Sequence, residues 1–233
     1  MKRVFVICLL LLIVACSKEK ELGNMVVQGQ IKGLKKGTLY LQKMKDTVIF
    51  SVDSIVLLGN DTFTLTDNID TSELYYLTLK GNNTQEIISF FSDEGTITIN
   101  DKVDKYGIAP EIEGSKNQKV FDEYRKMSKR FQGKQLDLLA ENLQAQKDKD
   151  LKKSESLRKK SESQIRKKYI YTINFALNHP DSEAAAYITL TELVNSNVKY
   201  LDSINNSLTD RVKKSLYGKK LETFISNIKK TEI

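Results

Sequence analysis

The sequence predicts an α+β protein: an N-terminal antiparallel β-sandwich or open barrel, followed by an α-helical domain with a long exposed helical hairpin. Three observations predict it. Apolar and polar residues alternate with a period of two in short runs from Met25 to Ile99, and Gly, Asn and Asp part the runs. From Ser115 the apolar residues recur at three- and four-residue spacing instead. Charge changes at the same place, with 17 Lys and Arg against 8 Asp and Glu from Lys116 to Ile170, and 10 against 15 from Cys16 to Ser115. The expected division is a leader over 1–15, a tether over 16–24, a β-sandwich domain over 25–114 and a helical domain over 115–233.

The leader comes first. Met1-Lys2-Arg3 is a basic start, Val4 to Val14 are apolar without interruption, and Ile13-Val14-Ala15 lead into Cys16. The run is roughly half of the 20 or so residues that a membrane crossing needs, so no span is expected. The segment resembles the lipobox of bacterial lipoproteins. That resemblance implies cleavage before Cys16, lipidation of its thiol, and a mature chain held on a membrane, since acyl chains contribute about 0.8 kcal/mol per buried methylene. The expected location is the bacterial cell envelope, lipid-anchored in the outer membrane. The mixed charges of Ser17-Lys18-Glu19-Lys20-Glu21 leave periplasm-facing and outward-facing placements both open.

Cysteine and histidine usage narrows the chemistry. The two cysteines are Cys8, inside the leader, and Cys16, so a mature chain has neither free thiol nor disulfide and thiol redox catalysis is excluded for it. Stability then has to come from a hydrophobic core, which about 218 residues can supply. His179 is the single histidine, so zinc sites built on His and Cys clusters and Ser-His-Asp triads are not expected. Beside Pro180 it reads as a helix-terminal residue. No catalytic, metal or cofactor site is expected, and no enzyme activity.

Strands are expected at Met25 to Ile31, Thr38 to Gln42, Thr47 to Leu58, Thr62 to Thr66, Leu74 to Lys80, Glu86 to Phe91 and Thr96 to Ile99. The turns between them include Gly59-Asn60-Asp61, Gly81-Asn82-Asn83 and Asp93-Glu94-Gly95. Gly29, Gly33 and Gly37 read as turn or bulge glycines. Ser115 then suits the N-cap of a helix whose stripe is Phe121, Tyr124, Phe131, Leu138, Leu139 and Leu143. Between Gln144 and Gln164 only Ala145, Leu151 and Leu157 are apolar, so this stretch reads as an exposed hairpin tip or one long solvated helix, returning through Ile165, Tyr169, Ile173 and Leu177. Asn178 to Ser182 breaks the chain, Ala184-Ala185-Ala186 opens another helix, and shorter helices are expected near Tyr187 to Val194 and Leu208 to Ile228.

An ordered series of motifs runs through both halves: Val27 to Leu34, Gly37 to Leu41, Asp53-Ser54-Ile55, Phe63, Phe90 to Ile99, Glu113-Gly114-Ser115 and Asn178 to Ser182. Their order and spacing resemble the N-terminal domain of unknown function that precedes the thioredoxin-like domain in lipoprotein thiol:disulfide interchange proteins of the TlpA-like, alkyl hydroperoxide reductase type. In that family the thioredoxin domain would begin about where this sequence stops at Ile233. Its Cys-x-x-Cys pair has no counterpart here, so the family's activity does not carry over.

Two function classes follow. In the first, the protein is a non-catalytic envelope lipoprotein that binds a protein or glycan through the sandwich edge or the helical hairpin. In the alternative, it is an accessory protein that docks a separate thioredoxin-like oxidoreductase or its substrate. Candidate partner-binding residues are Lys152, Lys153, Arg158, Lys159, Lys160, Arg166, Lys167 and Lys168, set against the simpler reading of a solvated helix face. Nucleic acid is not an expected partner, because no DNA- or RNA-binding signature accompanies the charge. Asp46-Thr47-Val48, Asp53-Ser54-Ile55 and Asp202-Ser203-Ile204 resemble the acceptor tripeptide for O-glycosylation in some Gram-negative envelopes, which makes Thr47, Ser54 and Ser203 candidates. The loop acids Asp61, Asp67, Asp70, Asp93, Glu94 and Asp101 match no calcium-loop spacing and read as turn residues.

Overall fold

The computed structural model describes residues 22–81 and 87–231. Cys8, Cys16, the leader, most of the tether and the turn residues Asn82 and Asn83 lie outside the described residues. Within them the chain is α+β, with two four-stranded sheets followed by helices.

The strands are β1 (Met25–Lys32), β2 (Lys36–Lys45), β3 (Val48–Leu58), β4 (Thr62–Asp67), β5 (Leu74–Lys80), β6 (Ile87–Phe91), β7 (Gly95–Lys102) and β8 (Glu111–Glu113). One sheet has the order β4-β1-β7-β8, the other β3-β2-β5-β6. Alternation places Val27, Ile31, Leu65, Ile97 and Ile99 from the first sheet, and Leu39, Leu41, Leu77, Leu79 and Ile88 from the second, in a single core. Full burial of each such side chain stabilises by about 1.5–3 kcal/mol. Tyr106, from the turn after β7, closes this core and donates from its hydroxyl to the Leu77 carbonyl at 2.8 Å.

The sheets correct two expectations. The arrangement is not wholly antiparallel, because β1 runs parallel to β7, with Met25 opposite Gly95 and Lys32 opposite Lys102. Gly29 lies inside β1 and Gly37 inside β2, and only Gly33 occupies a turn. At Gly29 a Cβ would stand 1.8 Å from the Ile99 carbonyl oxygen, so the requirement there is close approach of β7.

The helices are α1 (Lys116–Lys147), α2 (Leu151–Asn178), α3 (Glu183–Glu192), α4 (Val198–Ser207), α5 (Asp210–Lys214) and α6 (Leu216–Thr231). Ser115 caps α1 as expected, accepting from the Gln118 amide at 2.9 Å. Helix α4 is additional to the elements expected, the alanine run and Tyr187 share one helix, and Ser215 divides Leu208 to Ile228 in two. A second core joins sheet to helices: Leu74 and Phe91 pack with Ile173, Ala184, Leu201, Leu221 and Ile225. Phe91 meets the rings of Phe121 and Tyr187 edge-on at 5.1 and 5.5 Å. The Leu74 amide donates to the Tyr217 hydroxyl at 3.0 Å.

Helix α1 ends at Lys147 and α2 begins at Leu151, capped by Asp150, which accepts from the Lys153 amide at 2.9 Å. The two helices touch through Leu138, Ala145 and Leu157. The Ser154 hydroxyl donates to the Asn142 side-chain oxygen at 2.8 Å, and the Gln135 amide donates to the Ser161 hydroxyl. Phe131, Leu138 and Ala145 are seven residues apart, so they recur on the side of α1 that faces α2. Leu139 is turned 100° away from Leu138. The single stripe expected on α1 is therefore two: Leu138 faces inward, while Leu136, Leu139 and Leu143 are 65, 52 and 51% exposed. Ile165, expected in the packing of α2, is exposed as well, whereas Ile173 is buried. Among the described residues no helix is long and apolar enough to cross a membrane.

Candidate functional site

Three of the motif segments meet in space. The turn after β6 supplies Asp93, the start of α1 supplies Ser115 and Asn117, and the start of α3 supplies Ser182 and Glu183. Asn117 is at the centre, 6% exposed, with Glu183 at 1%. Its side-chain amide donates to Asp93 Oδ1 and to Glu183 Oε2, each at 3.0 Å. Its side-chain oxygen accepts from the Ser182 hydroxyl at 2.6 Å and from the Ala184 amide at 3.2 Å. Asp93 Oδ2 takes the Ser115 hydroxyl at 2.7 Å and the Asn117 amide at 3.1 Å. Arg211 of α5 closes the cluster, donating to Glu183 Oε1 and to the Asp181 carbonyl.

A polar cleft of about 400 Å³ lies alongside, lined by Asp70, Thr71, Glu94, Lys116, Glu183 and Arg211 among others. Every oxygen of Asp93 and Glu183 already accepts a hydrogen bond within the cluster. Two acids facing each other in a buried place need such compensation, and Asn117 with Arg211 provides it. The arrangement therefore acts as a clamp between sheet and helices.

A second charged cluster sits where β2, β4 and β5 end together. Lys43 Nζ is 2.9 Å from Asp67 and 3.5 Å from Glu73, and the Tyr75 hydroxyl donates to Asp67 at 2.6 Å. Burial opposes the Lys43 charge, but the hydrogen bond to Asp67 and the two carboxylates outweigh it and raise the ammonium above its ordinary value. Burial likewise opposes the Asp67 charge, yet the Tyr75 hydroxyl and Lys43 hold that carboxyl below its ordinary range. Burial dominates at Glu73 and pushes it up. Because β4 belongs to one sheet and β2 and β5 to the other, the cluster ties the two layers at one end.

The predicted basic residues all lie on α2. Lys152, Lys153, Arg158, Lys159, Lys160, Arg166 and Lys167 are exposed and Lys168 is half-buried. Their charge is partly matched locally: Arg158 pairs with Glu155 at 2.8 Å and with Glu162, Lys159 reaches Glu155 at 3.5 Å, and Lys168 pairs with Glu192 at 2.8 Å. Thr47 lies in the exposed turn between β2 and β3, Ser54 on the exposed face of β3, and Ser203 on α4, where its hydroxyl donates to the Lys199 carbonyl. These three acceptor candidates are far apart in the sequence and on separate elements. His179 ends α2, its ring stacked on Phe175 at 4.2 Å and Nδ1 2.8 Å from the Phe175 carbonyl. Of the loop acids, Asp61 takes the Gln30 amide at 3.0 Å and the Gly33 amide at 3.3 Å, while Asp101 takes the Gly107 amide at 2.7 Å. The carboxyl of Asp61 is held below its ordinary range, chiefly by Gln30.

Sequence reasoning missed Asn117, Glu183 and Arg211. One signal for Asn117 was available: it stands two residues past the Ser115 cap, in the first turn of a helix, where an amide side chain has little reason to be buried unless it has a partner.

The polar cluster thus joins the two sheets to the helices. Residues 25–121 match the family model for a domain of unknown function, DUF4369. The match takes in every strand and the start of α1, including Asn117 and Phe121. No curated protein and no solved structure matches the chain.

Proposed function

We propose that this is a non-catalytic envelope lipoprotein, acylated at Cys16, whose β-sandwich supports a helical hairpin, formed by α1 and α2, that docks a protein partner. The observation that carries this reading is the second apolar stripe on α1, Leu136, Leu139 and Leu143, which no element of the chain covers among the described residues. Spacings of three and four residues present these side chains along one line, the arrangement an amphipathic partner helix recognises. A ridge of leucines suits a protein better than a glycan. Lys152, Lys153, Lys160, Arg166 and Lys167 on the neighbouring helix favour a partner with acidic flanks and speed its approach.

The non-catalytic reading is supported by the polar cluster, in which every carboxylate oxygen of Asp93 and Glu183 is already taken up by a hydrogen bond. Intact-mass analysis of membrane-extracted protein tests the anchor: the chain should begin at Cys16 and carry acyl groups, and a soluble, unmodified product would refute it. Changing Leu139 and Leu143 together to Glu tests docking. Co-purification of the partner should be lost while thermal stability holds, and retention of the partner would refute the stripe. A partner with a thioredoxin-like domain would place the protein as an accessory to thiol:disulfide exchange.

A further inference from the structure

The pairing of β2 and β3 continues past the rest of their sheet. β5 pairs with β2 only as far as Lys43, opposite Tyr75, whereas β2 and β3 stay paired to Lys45 and Val48. Beyond Tyr75 the sheet is thus a two-stranded ribbon closed by Asp46 and Thr47, with Asp46 at φ 54°. Met44 and Ile49, 40 and 44% exposed, make one face of this ribbon apolar; on the other, Val48 and Phe50, 64 and 38% exposed, stand opposite Lys45 and Lys43, and Asp46 is exposed in the turn. A bare two-stranded ribbon is marginal in water, and an exposed apolar edge invites aggregation unless something covers it.

Its place in the fold says what covers it. Gly23, the second described residue, donates to Thr66 Oγ1 at 2.7 Å, and Met25 pairs with Asp67. Asp67 in turn holds Lys43, one residue before Met44. The chain therefore enters the fold at the end from which the ribbon projects. Eight residues, Ser17 to Asn24, separate that point from Cys16, and fully extended they reach at most about 29 Å.

We infer that the Met44–Phe50 ribbon inserts into the acyl boundary of the bilayer that holds the Cys16 lipid, fixing how the domain stands on the membrane. The inference rests on the anchor reading above. Lying along the interface, the ribbon sets Met44, Val48, Ile49 and Phe50 against the apolar layer, while the Lys45 ammonium and the Asp46 carboxylate, both exposed at the turn, stay at headgroup level. Membrane contact through two signals, lipid and ribbon, restricts rotation that the tether alone allows.

The chain contains no Trp, so Phe50→Trp provides a single reporter. Full-length protein processed in cells is reconstituted in phosphatidylethanolamine and phosphatidylglycerol vesicles with brominated acyl chains. Leu58→Trp is the control, eight residues along β3 and about 26 Å away. The Phe50→Trp indole should be quenched about twofold, as expected for a side chain at the acyl boundary, and the Leu58→Trp indole should be unchanged. Adding Ile49→Glu should remove the quenching while leaving acylation intact. Equal quenching at both positions, or none at Phe50→Trp, overturns the ribbon contact. The intact mass of the same sample separates the causes: acyl groups on Cys16 with an unquenched reporter refute the ribbon alone, and an unacylated chain refutes the anchor and the ribbon with it. A hexose on Thr47 would place a sugar at the tip and likewise overturn the insertion.

Discussion

Replacing Asn117 with Ala should open the junction between sheet and helices. The substitution removes two hydrogen bonds to carboxylates, Asp93 and Glu183, and two to the neutral Ser182 hydroxyl and Ala184 amide. At about 1.5–3 kcal/mol for each charged partner and 0.5–1.5 for each neutral one, the sum is roughly 4–9 kcal/mol. These bonds share partners, so they do not add, and the adjoining cleft of about 400 Å³ lets water reach the abandoned carboxylates. The expected loss is about 3–5 kcal/mol. Urea unfolding followed by far-ultraviolet circular dichroism at neutral pH measures it, with the exposed neighbour Lys116→Ala as the control. Asn117→Asp sharpens the test: it keeps the acceptors for Ser182 and Ala184 but sets a third carboxylate against Asp93 and Glu183, and should be worse than Ala. A loss below about 1 kcal/mol for Asn117→Ala, or an Asp variant as stable as the native chain, would refute the clamp.

Asp67 has a depressed carboxyl, so its contribution is present above the ordinary carboxylate range and is lost as pH falls through its lowered value. Glu73, raised by burial, works in the opposite sense, its contribution being lost as pH rises through its raised value. Asp67→Asn should therefore lower stability at neutral pH and flatten the fall in stability below about pH 4, as measured by thermal melts across a pH series; an unchanged acid limb contradicts this. Limited trypsin treatment should cut first among Lys147 to Lys160, where little apolar surface is buried, and leave the β domain intact; early cuts within the strands would contradict this reading. Gln135 hydrogen-bonds the Ser161 hydroxyl between α1 and α2, so Gln135→Leu should weaken that helix pair by about 1 kcal/mol, seen as faster amide exchange in α2; unchanged or slower exchange would show that the bond contributes nothing.

The strands were legible because half-buried strands write their burial into a period of two, and Leu39, Leu41, Leu77 and Leu79 keep that pattern without interruption. Pairing partners were not. Nothing local in Met25 to Lys32 announces that Gly95 to Lys102 will lie parallel beside it. Adjacent leucines hid the split on α1, since Leu138 and Leu139 fit one broad stripe until the seven-residue recurrence of Phe131, Leu138 and Ala145 is followed. Helix α4 was obscured by the polar run Asn195-Ser196-Asn197, in which Asn197 is its N-cap, accepting from the Lys199 amide at 3.0 Å. The clamp could not be read at all, because Asn117 and Glu183 are 66 residues apart and each looks ordinary alone. Their motif neighbours, Asp93, Ser115 and Ser182, were visible as a series, and the fold gives a reason for that series: these residues meet.

The docking claim is tested most directly by a photo-crosslinking residue placed at Leu139 in cells, compared with one at Glu141, which is exposed on the other flank of α1. The account predicts one discrete protein adduct from Leu139 that disappears with Leu143→Glu, and none from Glu141. Adducts of equal yield from both positions, or none from Leu139, would contradict it.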